Sequence, residues 1–586
     1  MKSRFTTLLL FVTAVLLGAF ILVFEHDTET SYERASRLRT VFAVYPDSIN
    51  QLIFERGGVT IECRKINGEW RMTAPVHAAV DQLIISRMIS GMARVERGEL
   101  LSPASLKERN LSAADYGFDE PRAKITYRTE QNTGATWLIG RDSPLDNMLY
   151  VKSIDSDVII FAPQTLLHLV PENPAWIRYR ILFSGESTAV RGIDIRRTAG
   201  LFQLRRLDTG TWQIQQPYTG RADLPPVHAF TEKILGARIR NFIVDEKTDL
   251  VPFGLTAPVM ELSMFTQDQR IQTLRIGDAV DNAPEERYAK YVDSDSVFTV
   301  SSEWVNEIET AAGTLRSPLL TDLPAERITA LKVTRGERLV ELMETNGAWQ
   351  IVRPAHWDAD PEKVIPILQR LAAAPIQEFI DAPSADQTLR VQNAPWIIEF
   401  SDGEKTGTLR VSAPGTNDLR LAQYNNEPAI YAVAAGIIPE SLADPLSYRK
   451  RVVLNISPAA IETISVRISA DSIGVHKNES GGFVADAAGE QVVPAALTSL
   501  MWELNNLQVE RYVAFNPESL TMYGLENPAV HITVTLGDTH AIGHILLIGD
   551  ATEGGYYAML QGQNTVFILL SESVEILTAR LTKPVE

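Results

Sequence analysis

The sequence predicts an α+β fold of four tandem modules, each a mostly antiparallel β-sheet with one main helix, preceded by a single N-terminal transmembrane helix. Three observations predict it: an uncharged apolar run near the N-terminus, three motifs that recur with a common period, and strand-like alternation followed by one helical pattern in each period. The length of 586 residues is too great for one hydrophobic core. At about 150 residues per domain, this length accommodates roughly four domains.

The composition is that of a globular protein and excludes several classes of function. With 45% hydrophobic and 22% charged residues, the chain is not expected to be disordered. The formal net charge of −18 argues against nucleic acid and against a broad anionic lipid surface as partners, since both need clustered Lys and Arg. The single cysteine, Cys63, excludes an internal disulfide and a cysteine-based zinc site, and we interpret it as a half-buried strand residue.

The N-terminus predicts a membrane anchor. After Lys2 and Arg4, an uncharged run occupies residues 5–24 and is followed by Glu25 and Asp27. About 20 helical residues at about 1.5 Å each span roughly 30 Å, the thickness of the hydrocarbon core of a bilayer. The two cations are expected to stay in the cytoplasm, so the chain is predicted to be a single-pass protein of the inner (cytoplasmic) membrane with its bulk periplasmic or extracytoplasmic.

A cleaved signal peptide is the alternative to an anchor. Its apolar region is normally shorter and ends in a small-x-small site, whereas this run keeps bulky residues up to the charges of GAFILVFEHD. We therefore predict a cytoplasmic tip and transmembrane anchor over residues 1–27. Residues 28–40 are too polar to enter lipid and are predicted to form a stalk.

Three motifs recur along the rest of the chain. A tryptophan is followed five residues later by a proline (WRMTAP), an aromatic-glycine loop ends in proline (YGFDEP), and a strand ends in glycine (WLIG). The prolines of the loop are 137, 137 and 133 residues apart, and Phe483 replaces the fourth tryptophan. The marker residues are Trp70, Pro75, Tyr116, Gly117, Pro121 and Gly140; Trp212, Pro217, Phe253, Gly254, Pro258 and Gly277; Trp349, Pro354 and Pro395; and Tyr523, Gly524, Pro528 and Gly549.

The common period defines four modules, over residues 41–184, 185–324, 325–455 and 456–586. Each begins with alternating segments such as INQLIFER and VTIECRK, which are typical of half-buried strands, and continues with one helix and four more strands. Runs of strands with a single helix favour α+β and an antiparallel sheet over βαβ units. The predicted helical faces are Ile85, Met88, Met92 and Val95; Val227, Phe230, Ile234 and Ala237; and Leu497, Leu500, Leu504 and Leu507.

The third module departs from its siblings. Its loop LRVQNAP lacks the aromatic-glycine pair, and its strand LRV lacks the glycine. Its helix has a clear start, with Asp360 as N-cap, Pro361 in the first turn and Glu362 as a first-turn acid. Pro366 lies inside this predicted helix and indicates a kink.

The recurrent motifs are interpreted as scaffold. A tryptophan on the inward face of the third strand can bury roughly 200 Å² against the helix. The proline after it cannot donate a backbone hydrogen bond, so it ends the strand. The loop glycine permits a positive φ, and the loop proline stiffens the exit. The functional alternative is a ligand groove lined by the tryptophans.

Together these features resemble a known family. The loop Y-G-F/L-x-x-P followed by a short strand, L-x-I-G and x-Y-V, the W-x-x-x-x-P before the helix and the N-terminal anchor are similar to the bacterial domain-of-unknown-function family 4340. The resemblance covers nearly the whole chain and is strongest in the first two modules. It implies an accessory protein associated with ABC-type transport systems of the gliding-motility kind, although the family has no established activity.

Signatures of chemistry are sparse. The sequence has no P-loop, H-E-x-x-H or G-x-S-x-G motif, and no cofactor is expected. His540 and His544 precede a strand, where four-residue spacing separates them by about 13 Å, too far to chelate one metal ion. The acidic pairs Asp155 with Asp157 and Asp293 with Asp295 could suggest calcium, but they lack the glycine and distal glutamate of an EF-hand and suit hairpin turns.

One loop is the best candidate for recognition. GRDSPLDNMLYV places Arg141, Asp142 and Asp146 between two strands, and its equivalents in the other modules differ in composition. The alternative is an ordinary polar connection. Glu120, beside the loop proline, is interpreted as a solvated residue rather than a general acid, because no partner with a shifted pKa is evident.

Two functions from different classes are carried forward. The first is a membrane-anchored, non-enzymatic extracytoplasmic scaffold or accessory subunit, whose partners are proteins of the membrane or envelope such as an ABC transporter permease. The second is an envelope enzyme or carbohydrate-binding protein with its site in a cleft between modules.

Overall fold

The computed structural model describes residues 39–145, 147–268, 271–415, 417–537 and 542–585. Two compact units are formed. The first contains the described part of Met1–Trp212 with Leu224–Leu315, and the second contains Gln213–Asp223 with the described part of Arg316–Glu586. The predicted anchor and nearly all of the predicted stalk lie outside the described residues. In the part that the structure describes, no helix is both long and apolar enough to cross a bilayer.

The first two modules contain strands β1–β18 and helices α1–α4. In the first module these are β1 (Ile49–Arg56), β2 (Val59–Ile66), β3 (Glu69–Ala74), β4 (Ala78–Ala79), α1 (Gln82–Ala93), β5 (Leu100–Leu101), α2 (Pro103–Glu108), β6 (Ala123–Thr129), β7 (Gly134–Asp142), β8 (Met148–Ser153) and β9 (Ile159–Pro163). In the second they are β10 (Val190–Arg197), β11 (Gly200–Arg206), β12 (Trp212–Gln216), β13 (Gly220–Arg221), α3 (Leu224–Leu235), β14 (Phe242–Val244), β15 (Met260–Thr266), β16 (Ile271–Val280), β17 (Ala283–Tyr291), β18 (Val297–Ser301) and α4 (Ser302–Ala312).

The last two modules contain strands β19–β39 and helices α5–α8. In the third module these are β19 (Ala330–Arg335), β20 (Arg338–Thr345), β21 (Ala348–Arg353), β22 (Trp357–Asp358), α5 (Pro361–Ala372), β23 (Glu378–Ile380), α6 (Ala385–Gln392), β24 (Trp396–Ser401), β25 (Thr406–Val411), β26 (Leu419–Tyr424) and β27 (Ile430–Ala434). From β28 onward they are β28 (Val452–Leu454), β29 (Ile461–Ile468), β30 (Asp471–Lys477), β31 (Phe483–Ala485), β32 (Glu490–Val492), α7 (Pro494–Asn505), β33 (Leu507–Gln508), β34 (Arg511–Phe515), β35 (Val530–Leu536), β36 (Ile542–Thr552), β37 (Gly555–Leu560), β38 (Thr565–Leu570), α8 (Ser571–Leu577) and β39 (Thr582–Pro584).

Each module is built on one large antiparallel sheet. The first sheet has the strand order β4-β3-β2-β1-β6-β7-β8-β9-β5, and the second and third sheets repeat this nine-strand order. The fourth has eight strands, in the order β31-β30-β29-β35-β36-β37-β38-β34. Two meanders lie side by side in each sheet because its first strand pairs with the strand that follows the loop, as where Leu52 lies opposite Tyr127.

Alternation along the strands sets the core face, and the longest helix covers it. Leu52 and Phe54 of β1 are fully buried and belong to one core cluster with Ile85 and Met92 of α1. The helix begins at Asp81, whose carboxylate accepts hydrogen bonds from the backbone N–H groups of residues 83 and 84. In the third module α5 continues through Pro366 to Ala372.

The predicted α+β class with one main helix per module is wrong. The described chain is mostly β, with four large antiparallel sheets, and each module has two helices of at most 12 residues. In the first and third modules the second helix is short and buries a single residue, Leu106 of α2 and Val391 of α6. Such helices have no apolar face for a periodicity of 3.6 to reveal.

The tryptophan strands have the same construction in three modules. Trp70, Trp212 and Trp349 lie in β3, β12 and β21 and are between 6% and 8% exposed. The side-chain amide of Gln82 in α1 accepts a hydrogen bond from the backbone N–H of Trp70 and donates one to its carbonyl oxygen, both at 2.9 Å. A cis proline directly follows each strand, at the peptide bonds Ala74–Pro75, Gln216–Pro217 and Arg353–Pro354.

Cys63 is fully buried in β2, rather than half-buried. Burial, followed by the neighbouring charge of Glu62, raises the pKa of the Cys63 thiol to about 12. Because the thiolate is the reactive species, we expect no reaction with a disulfide reagent at about pH 8 in the native protein and complete reaction in concentrated urea. Thiol titration by absorbance measures the extent of reaction in the native and in the unfolded protein. Rapid labelling of the native protein would show that this part of the first sheet opens.

Candidate functional site

Two of the recurrent motifs form a single contact. Gly117 ends the loop turn with φ of 80°, and the loop lies on β7 at Gly140. A Cβ at Gly140 would lie 2.3 Å from the carbonyl oxygen of Tyr116. The corresponding distances are 2.0 Å from Gly277 to the oxygen of Phe253 and 2.2 Å from Gly549 to that of Tyr523. The strand glycine is therefore required by the loop backbone that covers it.

The third module has lost both glycines together. Its loop is replaced by α6, and Ser412 follows β25 where the other modules have glycine. The Ser412 hydroxyl donates to the oxygen of Ala413 at 2.8 Å and accepts the N–H of Leu421 at 3.0 Å. Because α6 replaces the loop in this module, this position holds a side chain.

The loop predicted to serve recognition is held by residues that flank the neighbouring strands β6 and β9. Asp142 accepts hydrogen bonds from Arg122 at 2.6 Å and from Gln164 at 3.1 Å, across the start and end of the surrounding strands. The Arg141 side chain is exposed and lies beside Gly117, and Glu120 is exposed. Asp146 lies outside the described residues.

The acidic pairs lie in turns, and the histidines do not form a described pair. Asp155 and Asp157 follow β8, and Asp293 and Asp295 follow β17, all with exposed side chains. His540 is outside the described residues, and His544 lies in β36, where burial lowers its pKa. No group of three or more His, Cys, Asp or Glu residues in the described ranges is arranged to hold a metal ion.

Arginines of the linkers form contacts that the sequence analysis missed. We call a linker the segment between the last strand of one large sheet and the first strand of the next, at the end of each module. Arg178 lies in the linker between β9 and β10. Its guanidinium lies 3.5 Å from the centre of the Phe242 ring and 2.8 Å from a carboxylate oxygen of Asp245. Its side chain is 7% exposed. Burial lowers the pKa of Arg178, while the charge and hydrogen bond of Asp245 oppose that shift. We call Arg178, Arg316 and Arg449 the linker arginines.

The other two linker arginines repeat the stacking on an aromatic ring, and Arg316 but not Arg449 repeats the ion pair. Arg316 stacks on Phe379 at 3.9 Å and pairs with Asp381 through two bonds of 2.9 and 2.5 Å. Arg449 lies over two rings, Trp357 at 4.4 Å and Tyr512 at 4.2 Å. Phe515 follows Tyr512 where a carboxylate follows Phe242 and Phe379. One terminal nitrogen of Arg449 is buried without a hydrogen-bond partner in the described chain.

Because Arg449 has no carboxylate partner among the described residues, its substitution is expected to cost less stability than that of a linker arginine in an ion pair. We expect Arg449→Met to change the free energy of unfolding by no more than about 1 kcal/mol, because loss of two cation–π contacts is offset by removal of a desolvated, unpaired charge. Urea denaturation of the full chain, followed by fluorescence, measures this change in the free energy of unfolding. A loss of about 3 kcal/mol would contradict the view that Arg449 has no carboxylate partner.

A groove opens beside the first linker. It has a volume of about 680 Å³ and is lined by residues that include Arg180, Lys233, Arg238, Arg240, Trp304 and Glu307. We call it the basic groove. The linker builds one side, since the backbone N–H of Ile239 donates to the oxygen of Arg180 at 2.7 Å. Helix α4 supplies the other, and the indole N–H of Trp304 donates to the oxygen of Lys233 at 3.1 Å.

The groove carries an excess of positive charge. The Arg180 guanidinium donates only to carbonyl oxygens, those of Ala175, Ile239 and Arg240. Arg238 and Arg240 are exposed and have no ion-pair partner among the described residues. Lys233 and Glu307 neutralise each other at 3.0 Å. In a chain of formal charge −18, such a site can hold an anionic group.

Comparison with known sequences identifies the repeating unit. The family model described as Domain of unknown function (DUF4340) matches four times, over residues 70–218, 212–347, 349–493 and 484–583. No curated protein matches the chain. Three of the matches begin at the tryptophan of the Trp-to-Pro motif, and the fourth begins beside Phe483. Because the four matches together cover most of its length, the chain belongs to the DUF4340 family.

Proposed function

We propose that this protein is a non-enzymatic scaffold or accessory subunit of an ABC-type transport or envelope complex, on the extracytoplasmic side of the inner membrane. Its support is the fourfold use of one sheet, with linker arginines fixed against the strand β14, β23 or β34. A repeated sheet multiplies surface for protein partners, whereas catalysis needs one specialised site. The apolar run over residues 5–24 supports the location, and the family resemblance supports the kind of complex.

The test is purification of the full chain, tagged at its C-terminus, in mild detergent. We expect integral-membrane subunits of a transporter to copurify and to crosslink to the modules. The control carries residues 1–40 on an unrelated soluble domain, which separates capture by the modules from capture by the N-terminal segment. Recovery of the same proteins by the control, or of none by the full chain, would contradict the proposal.

The location has an independent test. A phosphatase reporter fused after Thr30 should be active, because that enzyme folds only outside the cytoplasm, and a cytoplasmic reporter at the same position should be inactive. The opposite pair of results would place the modules in the cytoplasm and remove the extracytoplasmic scaffold.

A second candidate function is a binding protein with its site in a cleft between modules. The basic groove favours it, because Arg180 of the first module and α4 of the second module both line the groove.

A further inference from the structure

The strands and linker around the basic groove direct two arginines to one side. Residues 237–239 pair with the linker: Leu182 donates to the oxygen of Ala237 at 3.0 Å, and Ile181 lies opposite Arg238. Ile239 is buried, at 6% exposed, whereas Arg238 and Arg240 on either side are exposed. In an extended segment, residues two apart share a face. Arg238 and Arg240 therefore both project from the surface that lines the groove.

Electrostatics in the groove favour an anion. Three guanidinium groups in the groove have no carboxylate partner among the described residues: those of Arg180, Arg238 and Arg240. Of the two carboxylates that line the groove, Glu307 pairs with Lys233, and only Glu303 has no ion-pair partner among the described residues. The helix α4 starts at this groove, and its N-terminal dipole adds to the positive potential. Guanidinium forks match the geometry of carboxylate and phosphate groups, which they bind through paired hydrogen bonds.

Shape and apolar surface complete the site. A volume of about 680 Å³ is within the range of pockets that hold one small molecule. The indole of Trp304, held by its bond to Lys233, offers a fixed ring for a ligand to pack against. A group with an anionic end and a flat or apolar body suits this combination.

The arginine pair is not part of the repeated scaffold. The equivalent segments follow α1, α5 and α7, and each makes the same backbone bond to its own linker, from Arg97, Ile376 and Val509. The positions corresponding to Arg238 and Arg240 are Glu96 and Gly98, Pro375 and Gln377, and Gln508 and Glu510. Folding of the module therefore does not require the two arginines.

We propose that the basic groove is a binding site for a small ligand bearing a phosphate or carboxylate group, which Arg238 and Arg240 hold while Trp304 contacts its body. This site is independent of the scaffold role, since it concerns one module and a ligand rather than a protein partner.

The test is calorimetric titration of the full chain in detergent with three probes. Glucose 6-phosphate and glucuronate carry the two oxyanions on the same kind of ring, and glucose is the neutral control. We expect at least one anionic probe to bind with a dissociation constant of about 1 mM or lower, more weakly as salt is raised, and glucose not to bind. The tighter of the two identifies the oxyanion, and equal affinity would support recognition of either.

The variants locate the site. Arg238→Gln with Arg240→Gln should weaken binding about tenfold or more. The matched control is Arg94→Gln with Arg97→Gln, which removes the same charge from the equivalent end of α1 and should leave binding unchanged. Glu303→Gln should strengthen binding about twofold, a gain that misfolding cannot produce. Failure of both anionic probes to bind, or equal weakening by the two double variants, would overturn the proposal.

Discussion

Gly277→Ala is expected to destabilise the second module by about 3 kcal/mol or more. The new Cβ would lie 2.0 Å from the carbonyl oxygen of Phe253 and 3.1 Å from the carbonyl carbon of Gly254. These are backbone atoms, so relief requires the loop to leave β16 rather than a side chain to rotate. The φ of Gly277 is not in the left-handed region, and the loss is therefore steric rather than conformational. Hydrogen exchange of peptides covering residues 250–280, read by mass spectrometry, measures the opening.

The control is Gly436→Ala, since a Cβ there meets no atom within 4 Å and its φ is not in the left-handed region. We expect that variant to exchange at the wild-type rate or more slowly, because alanine restricts the unfolded chain. Protection of residues 250–280 that is unchanged in Gly277→Ala would show that the loop and strand do not touch in solution.

The glycine contact shows how far the sequence alone can go. Spacing identified the loop motif and the strand motif as markers of the repeat, and the four family matches confirm the repeat. It did not show that Gly254 and Gly277 meet, because contact across a sheet depends on the pairing of β15 with β16. Their joint loss in the third module was visible as two separate departures. The close approach of the loop backbone explains why the strand glycine is no longer needed once the loop is lost.

The linker arginines and the basic groove were missed for different physical reasons. Arg178, Arg316 and Arg449 recur 138 and 133 residues apart, so the period could have identified them. Arg238 and Arg240 have no counterpart in the other modules, and a search for repeats discards such residues. The groove also depends on Arg180 and Trp304, which are distant in sequence and come to line one groove once the linker pairs with residues 237–239.

Asp245→Asn is expected to reduce the free energy of unfolding by about 3 kcal/mol. The substitution keeps the size of the side chain but removes the charge that faces Arg178, whose side chain is 7% exposed. Phe242 covers the guanidinium, so water cannot readily replace the carboxylate. Arg178→Met with Asp245→Asn should recover part of the loss, because no buried charge is left unpaired. Urea denaturation of the two single variants and the double variant gives the coupling between the residues.

Asp142→Asn provides the matched comparison, since its pair with Arg122 has the same 2.6–2.9 Å geometry but side chains that are 40% and 52% exposed. Solvent screens that pair, and we expect a loss below about 1 kcal/mol. Equal losses for the two asparagine variants would mean that burial adds nothing at the linker. A larger loss at Asp245 means that the first linker is anchored by a desolvated charge, because the two substitutions differ in little except exposure. In that case Arg180, two residues beyond Arg178 in the same linker, is held at a fixed position beside the basic groove.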